Sequence, residues 1–281
     1  MNNKLLVSDA KNFSIEKAIN PYYGSMSLDK QKANLEHSTV LELFKQAQIE
    51  VVQVASPIDC QDGIYTANWA LVRGEKAVLA RLPNARKSEE DYAEKILRDL
   101  GKEVVRIPNN YKFSGQGDSL PCGKYLLAGS NYRSDPEAQQ FVADTLGYEL
   151  VQLEAVPSTD ENNQPVINKI TGWPDSFFYD IDLALAVISD NTIAYCPEAL
   201  SVDSQEKIRA LDLEKIEVSL DEAKNGFACN LVSTGKTVVM SSKAPNLKIE
   251  LEKRGLTVLT TEITELIKGG GFIRCISLSL D

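Results

Sequence analysis

The chain has 281 residues, 43% hydrophobic and 25% charged, enough for one large domain and too apolar for disorder. A formal charge of -10 with no basic run excludes a nucleic-acid footprint and gives no attraction to anionic membranes. No apolar stretch is long enough to cross a bilayer and residues 1–9 are too polar for a signal peptide, so the cytosol is the expected compartment.

A strand is predicted at residues 5–8, a helix near 28–46 and a strand at 49–54. A hairpin follows, residues 64–72 and 76–82, turning at Arg73-Gly74-Glu75. The next helix spans 88–100, with Ser88 and Asp91 spaced as a capping box and Gly101 as its stop, before a strand at 103–107. Ser134-Asp135-Pro136-Glu137 opens another helix, ended by Gly147, before a strand at 148–153. Residues 157–172, polar and rich in Asn, Asp and Pro, form a surface loop, either a lid or an inert excursion. Beyond it come a hairpin (183–188, 192–196), a helix near 204–211 and a strand at 216–219. A last hairpin (228–233, 237–240), a helix at 245–254, a strand at 256–260 and a strand at 274–280 complete the chain.

The recurring unit is strand, strand, helix, strand, with a period of 45–65 residues. Four copies are complete, and the two ends of the chain supply a fifth, closing a ring without exposed sheet edges. The expected organisation is one domain over residues 1–281.

Histidine chemistry is disfavoured, because His37 is the sole histidine and falls in a polar helical stretch where it reads as a solvated residue. Five cysteines, none in a CxxC pair, make a disulfide framework or zinc site unexpected, and no metal or cofactor is predicted. Cys196 and Cys229 sit among apolar residues and read as buried and inert. The starts of the units are more informative. Asp62, Asp118, Asp182, Cys229-Asn230 and Cys275 occupy equivalent offsets, which a ring would bring together on one face. Any one aspartate alone reads better as turn chemistry, but the same offset recurring in several units favours a shared site. Gly269-Gly270-Gly271 lets the backbone turn tightly before Cys275, a thiol placed for nucleophilic attack. No Lys-Ser/Thr and no helix follow, so this is not a phosphate loop.

Several ordered landmarks agree with a known family: Ile19-Asn20-Pro21, Asp62-Gly63-Ile64-Tyr65-Thr66-Ala67-Asn68, Gly115-Gln116-Gly117-Asp118, Tyr132-Arg133-Ser134, Tyr179-Asp180-Ile181-Asp182, Tyr195-Cys196-Pro197-Glu198-Ala199 and the glycine run to Cys275. On these the chain resembles the guanidine-modifying superfamily of dimethylarginine dimethylaminohydrolases, arginine deiminases and amidinotransferases. The resemblance implies an α/β pentein fold, a five-bladed pseudo-symmetric propeller of ββαβ units closed by the two termini. It implies a small cationic guanidine or amidine ligand, with Cys275 attacking the guanidinium carbon and Asp62 and Asp182 holding its nitrogens as paired carboxylates. Asp118, Tyr65 and Asn68 stand as further substrate-binding positions. Arg133 resembles an arginine that meets a substrate carboxylate, and is equally readable as a surface ion pair.

The chain departs from that family at two linked positions. Asp180 stands where the family has a histidine, and Ser114 where it has the acid orienting that histidine. Three readings stay open: a hydrolase or amidinotransferase with Asp180 in altered acid–base service, a binding protein that keeps the clamp without turnover, or a repurposed site for a non-guanidine substrate. Self-association is also left open.

Overall fold

The β-rich runs pair in threes. A computed structural model describes residues 1–20, 22–23, 27–108 and 111–281. Pro21, in the first landmark, lies outside the described residues. In chain order the elements are β1 (Lys4–Ser8), α1 (Lys30–Gln46), β2 (Glu50–Val54), β3 (Ala70–Arg73), β4 (Lys76–Leu79), α2 (Ser88–Asp99) and β5 (Glu103–Arg106). Then come β6 (Ser119–Cys122), β7 (Tyr125–Gly129), α3 (Pro136–Leu146), β8 (Glu149–Leu153), β9 (Leu185–Ser189), β10 (Thr192–Tyr195), α4 (Val202–Ala210) and β11 (Glu214–Glu217). A short α5 (Leu220–Gly226), absent from the sequence reading, precedes β12 (Val232–Ser233), β13 (Thr237–Ser241), α6 (Pro245–Lys253), β14 (Thr257–Thr261) and β15 (Leu278–Ser279).

Five three-stranded sheets result, ordered β3-β4-β5, β6-β7-β8, β9-β10-β11, β12-β13-β14 and β15-β1-β2. In each, a central strand pairs antiparallel with the first strand and parallel with the last, the helix bridging the parallel pair. The fifth sheet joins the two ends of the chain: Leu5 opposes Ser279 and Leu6 opposes Leu278, while β1 runs parallel to β2. Neighbouring sheets meet through their first strands, with β9 against β6 and β12 and with β3 against β15. These strands are buried along most of their length on both faces.

Local chemistry explains the helix ends. Asp29 caps α1 by accepting from the Lys32 amide, Ser201 caps α4, and Gly147 closes α3 in the left-handed conformation. Two expectations are corrected here. Ser88 does not cap α2, because it is the first residue of the helix and the cap position falls on Lys87, which makes no side-chain cap; the Ser88 hydroxyl lies 3.0 Å from Cys60 Sγ instead. His37 is not solvated. It is 3% exposed, on the inward stripe of α1 with Ala33, Val40, Leu41 and Phe44, where burial lowers its pKa against the opposing pull of the Ser8 backbone and Asp9.

A third correction bears on the site. The chemistry-bearing residues do not begin strands. Asp62 lies in a turn ahead of a 3-10 turn at Thr66–Trp69, and β3 starts only at Ala70. Asp118 and Asp182 likewise flank or sit in 3-10 turns, and the last strand is only Leu278–Ser279, three residues beyond Cys275.

Candidate active site

The segments that feed the first strands are pinned to one another by buried hydrogen bonds. The Ala67 amide donates to the Cys275 carbonyl (3.1 Å), while Asn230 Oδ1 accepts from the Arg274 amide (3.0 Å) and the Cys275 amide (3.3 Å). The glycine run passes under Tyr65, whose hydroxyl donates to the Leu266 carbonyl at 2.6 Å. A Cβ at Gly269 or Gly271 would strike the Tyr65 ring or hydroxyl, and Gly270 sits at φ +90°. The carbonyls of Gly269 and Gly270 accept from Asn20 Nδ2 (3.0 Å) and the Tyr179 hydroxyl (2.8 Å). Glycine is needed here because an aromatic ring and two side-chain donors press against the backbone.

Cys275 is thereby presented to a narrow pocket of about 20 Å³, space for about one water. Asp62, Tyr65, Asn68, Arg133 and Asp180 line it with the cysteine. Asp182 reaches the sulfur from one side, with Oδ2 3.4 Å from Cys275 Sγ, and Asn230 Nδ2 donates to the sulfur at 3.1 Å. Asp118 does not line the pocket. Its Oδ1 accepts from the Ile181 amide at 3.0 Å, fixing the backbone between Asp180 and Asp182. Arg133 is buried and donates through Nη2 to the Ile19 carbonyl at 2.5 Å, with its guanidinium 5.0 Å from the Tyr179 ring centre, which removes the surface-ion-pair reading.

The Asp180 region is rebuilt around an amide. Asn68 Nδ2 donates to Asp180 Oδ2 (2.8 Å) and to the Ser114 hydroxyl and carbonyl (2.9 and 3.0 Å). A Cβ at Gly117 would fall 2.9 Å from Asp180 Oδ2, so that glycine makes room for the carboxylate. Asn68 Oδ1 accepts from Arg86 Nη1 at 2.9 Å, and Arg86 forks onto the buried Glu89 at 2.9 and 2.7 Å. Burial works against the Arg86 charge, and Glu89 more than offsets it. Arg86, Glu89 and Tyr23 are absent from the sequence reading. The i, i+3 spacing of Arg86 and Glu89 is the available signal for the first two.

Electrostatically, burial dominates the carboxyls around a pocket that Arg86 and Arg133 also line. Burial pushes the Asp62 carboxyl up to about 6, with Arg86 and the 2.5 Å hydrogen bond from Tyr23 opposing the rise. Burial also raises Asp180, opposed by Arg133 and the Asn68 hydrogen bond. Asp182 and Asp118 rise well above the usual carboxylate range, first through burial and then through the Asp180 charge. Asp118 Oδ2, Asp180 Oδ1 and Asp182 Oδ1 are buried without a hydrogen-bond partner among the described residues. Cys275 is raised well above the ordinary thiol value by burial and then by Asp182, so it is a neutral thiol at pH 7 in the free protein. No three His, Cys, Asp or Glu side chains among the described residues are arranged to hold a metal ion.

Residues 8–280 match the family described as N,N dimethylarginine dimethylhydrolase, eukaryotic. The chain belongs to the dimethylarginine dimethylaminohydrolase family. The relatives it matches carry hydrolase names. Dimethylarginine dimethylaminohydrolase of Mycobacterium tuberculosis is 31% identical over 274 residues, 95% of this chain and 82% of that protein. The bifunctional arginine dihydrolase/ornithine cyclodeaminase ArgZ of Synechocystis is 28% identical over 98% of this chain, which spans only 37% of that protein's length. The product-bound N-terminal domain of ArgZ superposes with a TM-score of 0.88 at 26% identity, covering 99% of this chain and 97% of that domain. The family's α/β architecture thus extends over the whole chain, and a small cationic ligand fits its acidic pocket. No helix among the described residues is long and apolar enough to cross a membrane.

Proposed function

We propose that this protein is a cysteine-dependent hydrolase of an arginine-like guanidine, in which Asp180 takes the proton-carrying role of the family histidine. One observation carries the reading: the Cys275 sulfur, with Asp182 at 3.4 Å, faces a buried pocket shared with Asp62 and Asp180. We read the chain as one domain, its five sheets as blades of a closed ring, and the cytosol as its compartment. The matched relatives carry hydrolase names, which favours hydrolysis over amidino transfer.

A planar cation would neutralise Asp62 and Asp182 and lower the thiol beside it. The Cys275 proton passes to Asp182 as sulfur attacks the guanidinium carbon. Protonated Asp180 gives its proton to the departing amine or ammonia, the C–N bond breaks and an amidino-thioether remains. Water then adds to that carbon and gives a proton to Asp180. The C–S bond breaks, the thiolate recovers its proton from Asp182, and a urea is released. Asn68 and Ser114 position Asp180, whereas Asp118 positions the backbone that carries Asp180 and Asp182. The binding-only reading rests on the same replacement, because Asn68 already occupies one Asp180 oxygen.

Two measurements decide between them. A haloacetamidine is expected to alkylate Cys275 faster than the other four cysteines. Incubation with arginine, methylarginines, agmatine or guanidinoacetate is expected to release a urea product and an amine, and Cys275→Ser is expected to abolish this. Ligand protection of Cys275 without any product would support the binder instead.

A further inference from the structure

Cys275 and Asp182 face different cavities, which share no lining residue. Cys275 lines the clamp pocket, whereas Asp182 lines a second cavity of about 260 Å³ together with Arg274 and Gln116. Asp182 joins the two spaces. Its Oδ2 reaches the Cys275 sulfur at 3.4 Å, while its Oδ1 is buried without a hydrogen-bond partner among the described residues. Arg274 is only 6% exposed, and its amide and that of Cys275 both donate to Asn230 Oδ1. Guanidinium and thiol therefore hang from one fixed stretch of backbone.

Among the described residues the Arg274 side chain donates only to neutral oxygens, Gln116 Oε1 at 2.9 Å and the Ser277 carbonyl at 3.3 Å. Gln116 Oε1 is held in turn by the Ser279 amide at 2.8 Å. A buried cation without a hydrogen-bonded carboxylate is costly to the fold. Burial lowers the Arg274 pKa, and the charges that oppose this are Asp182 and then Cys275. Asp182 feels the converse: burial and Asp180 raise it, and Arg274 pulls it down.

The other groups around the sulfur do not do this work. Burial and then Asp182 and Asp180 raise the thiol, opposed by the Phe272 backbone and by Asn230. Tyr22, Tyr65 and Tyr179 face it as phenols that burial keeps neutral. Of the cations lining the clamp beside Asp62, Arg86 is forked onto Glu89, and Arg133 donates to the Ile19 carbonyl and opposes the rise of Asp180. Arg274 is left as the cation that acts on Asp182 and the sulfur together.

We propose that Arg274 is a positioning residue acting through Asp182: from the second cavity its fixed positive charge lets Asp182 and Cys275 carry the negative charge that attack requires. Asp182 and Cys275 titrate as a pair, so removing the cation leaves both protonated to higher pH. This rests on Cys275 being the nucleophile of the proposed reaction and adds what prepares it before any ligand arrives.

The test is the pH profile of Cys275 alkylation by iodoacetamide, a neutral reagent that needs no guanidine site, followed by peptide mass mapping of the full-length protein. Arg274→Gln should move the midpoint up by about one pH unit, roughly tenfold slower alkylation at any pH below it. Arg274→Lys, which keeps the charge, should stay close to wild type. Gln116→Glu leaves Arg274 in place but sets a carboxylate against it, and should move the midpoint in the same direction as Arg274→Gln. It decides the matter if Arg274→Gln does not fold. A midpoint unmoved in both charge-changing variants overturns the proposal, as does an equal loss of rate at every pH, the mark of a purely structural arginine. If the midpoint shifts but no guanidine is turned over, the proposed hydrolase falls and the role of Arg274 in forming the thiolate stands.

Discussion

Asp62 shows how a single side chain couples ligand capture to stability. Its pKa, pushed up to about 6, exceeds the unfolded value, so ionising it costs the folded state. That cost is absent below about pH 4, grows as pH rises through 6 and is full above it. Asp62→Asn should therefore be more stabilising at pH 8 than at pH 4 by on the order of 3 kcal/mol, measured by urea unfolding at both values. The same carboxylate is needed as an anion to hold a cation, so wild-type affinity for a guanidine should rise as pH passes through 6, and the variant should lose that rise. Asp180 makes a different prediction. Asp180→Asn retains a side chain for Asn68 to contact but cannot carry a proton, so both formation and hydrolysis of the covalent adduct should slow, with turnover falling by about 10²–10⁴. Time-resolved intact-mass spectrometry would follow both steps; formation and decay of the adduct at wild-type rates would remove Asp180 from proton transfer. At this scale the sequence is legible where residue type fixes the chemistry, as for Cys275 and the aspartates. It is opaque where packing decides. His37 falls on the apolar stripe of α1 and is buried with it, although its immediate neighbours in sequence are polar. Arg86 lies in a 3-10 turn outside any periodic pattern, and only the fold shows it anchoring Asn68.

Among the elements, the glycine run before Cys275 is the most constrained. Gly271→Ala would drive a methyl group into the Tyr65 ring and to within 2.9 Å of the Cys275 Cβ. Overpacking of this kind costs roughly 1–3 kcal/mol. The thermal midpoint should fall, and Cys275 alkylation should change even at temperatures where the protein stays folded, because Tyr65 and the cysteine share the pocket wall. The ββαβ recurrence is readable from sequence because local signals mark many of the helix ends, as Asp29, Ser201 and Gly147 do. The first strand of each unit is less so. Its predicted start runs into the 3-10 turn that precedes it, since buried apolar residues continue through both and no periodicity separates them. The segments that build the site are thus legible in the sequence, whereas the element each belongs to is not.

For the molecule as a whole, the pairing of β1 with β15 makes the two ends of the described chain neighbours: the Asn3 amide donates to Asp281 Oδ2 at 2.5 Å. A circular permutant that joins them by a short Gly-Ser linker and opens the chain at Asn162, an exposed loop residue, should fold with a midpoint near that of the parent. Removing residues 278–281 deletes β15 and strips cover from Leu6 and Trp69, so that variant should not yield a cooperative unfolding transition.

The three carboxyl oxygens left without partners also alter the protein's proton inventory. The formal charge of -10 counts every aspartate as ionised, whereas burial and the Asp180 charge push Asp118 and Asp182 towards their protonated forms. A guanidinium held beside Asp182 favours its ionised form and so displaces protons from the site. The observed binding enthalpy should therefore vary with the ionisation enthalpy of the buffer, because displaced protons have to be absorbed by it.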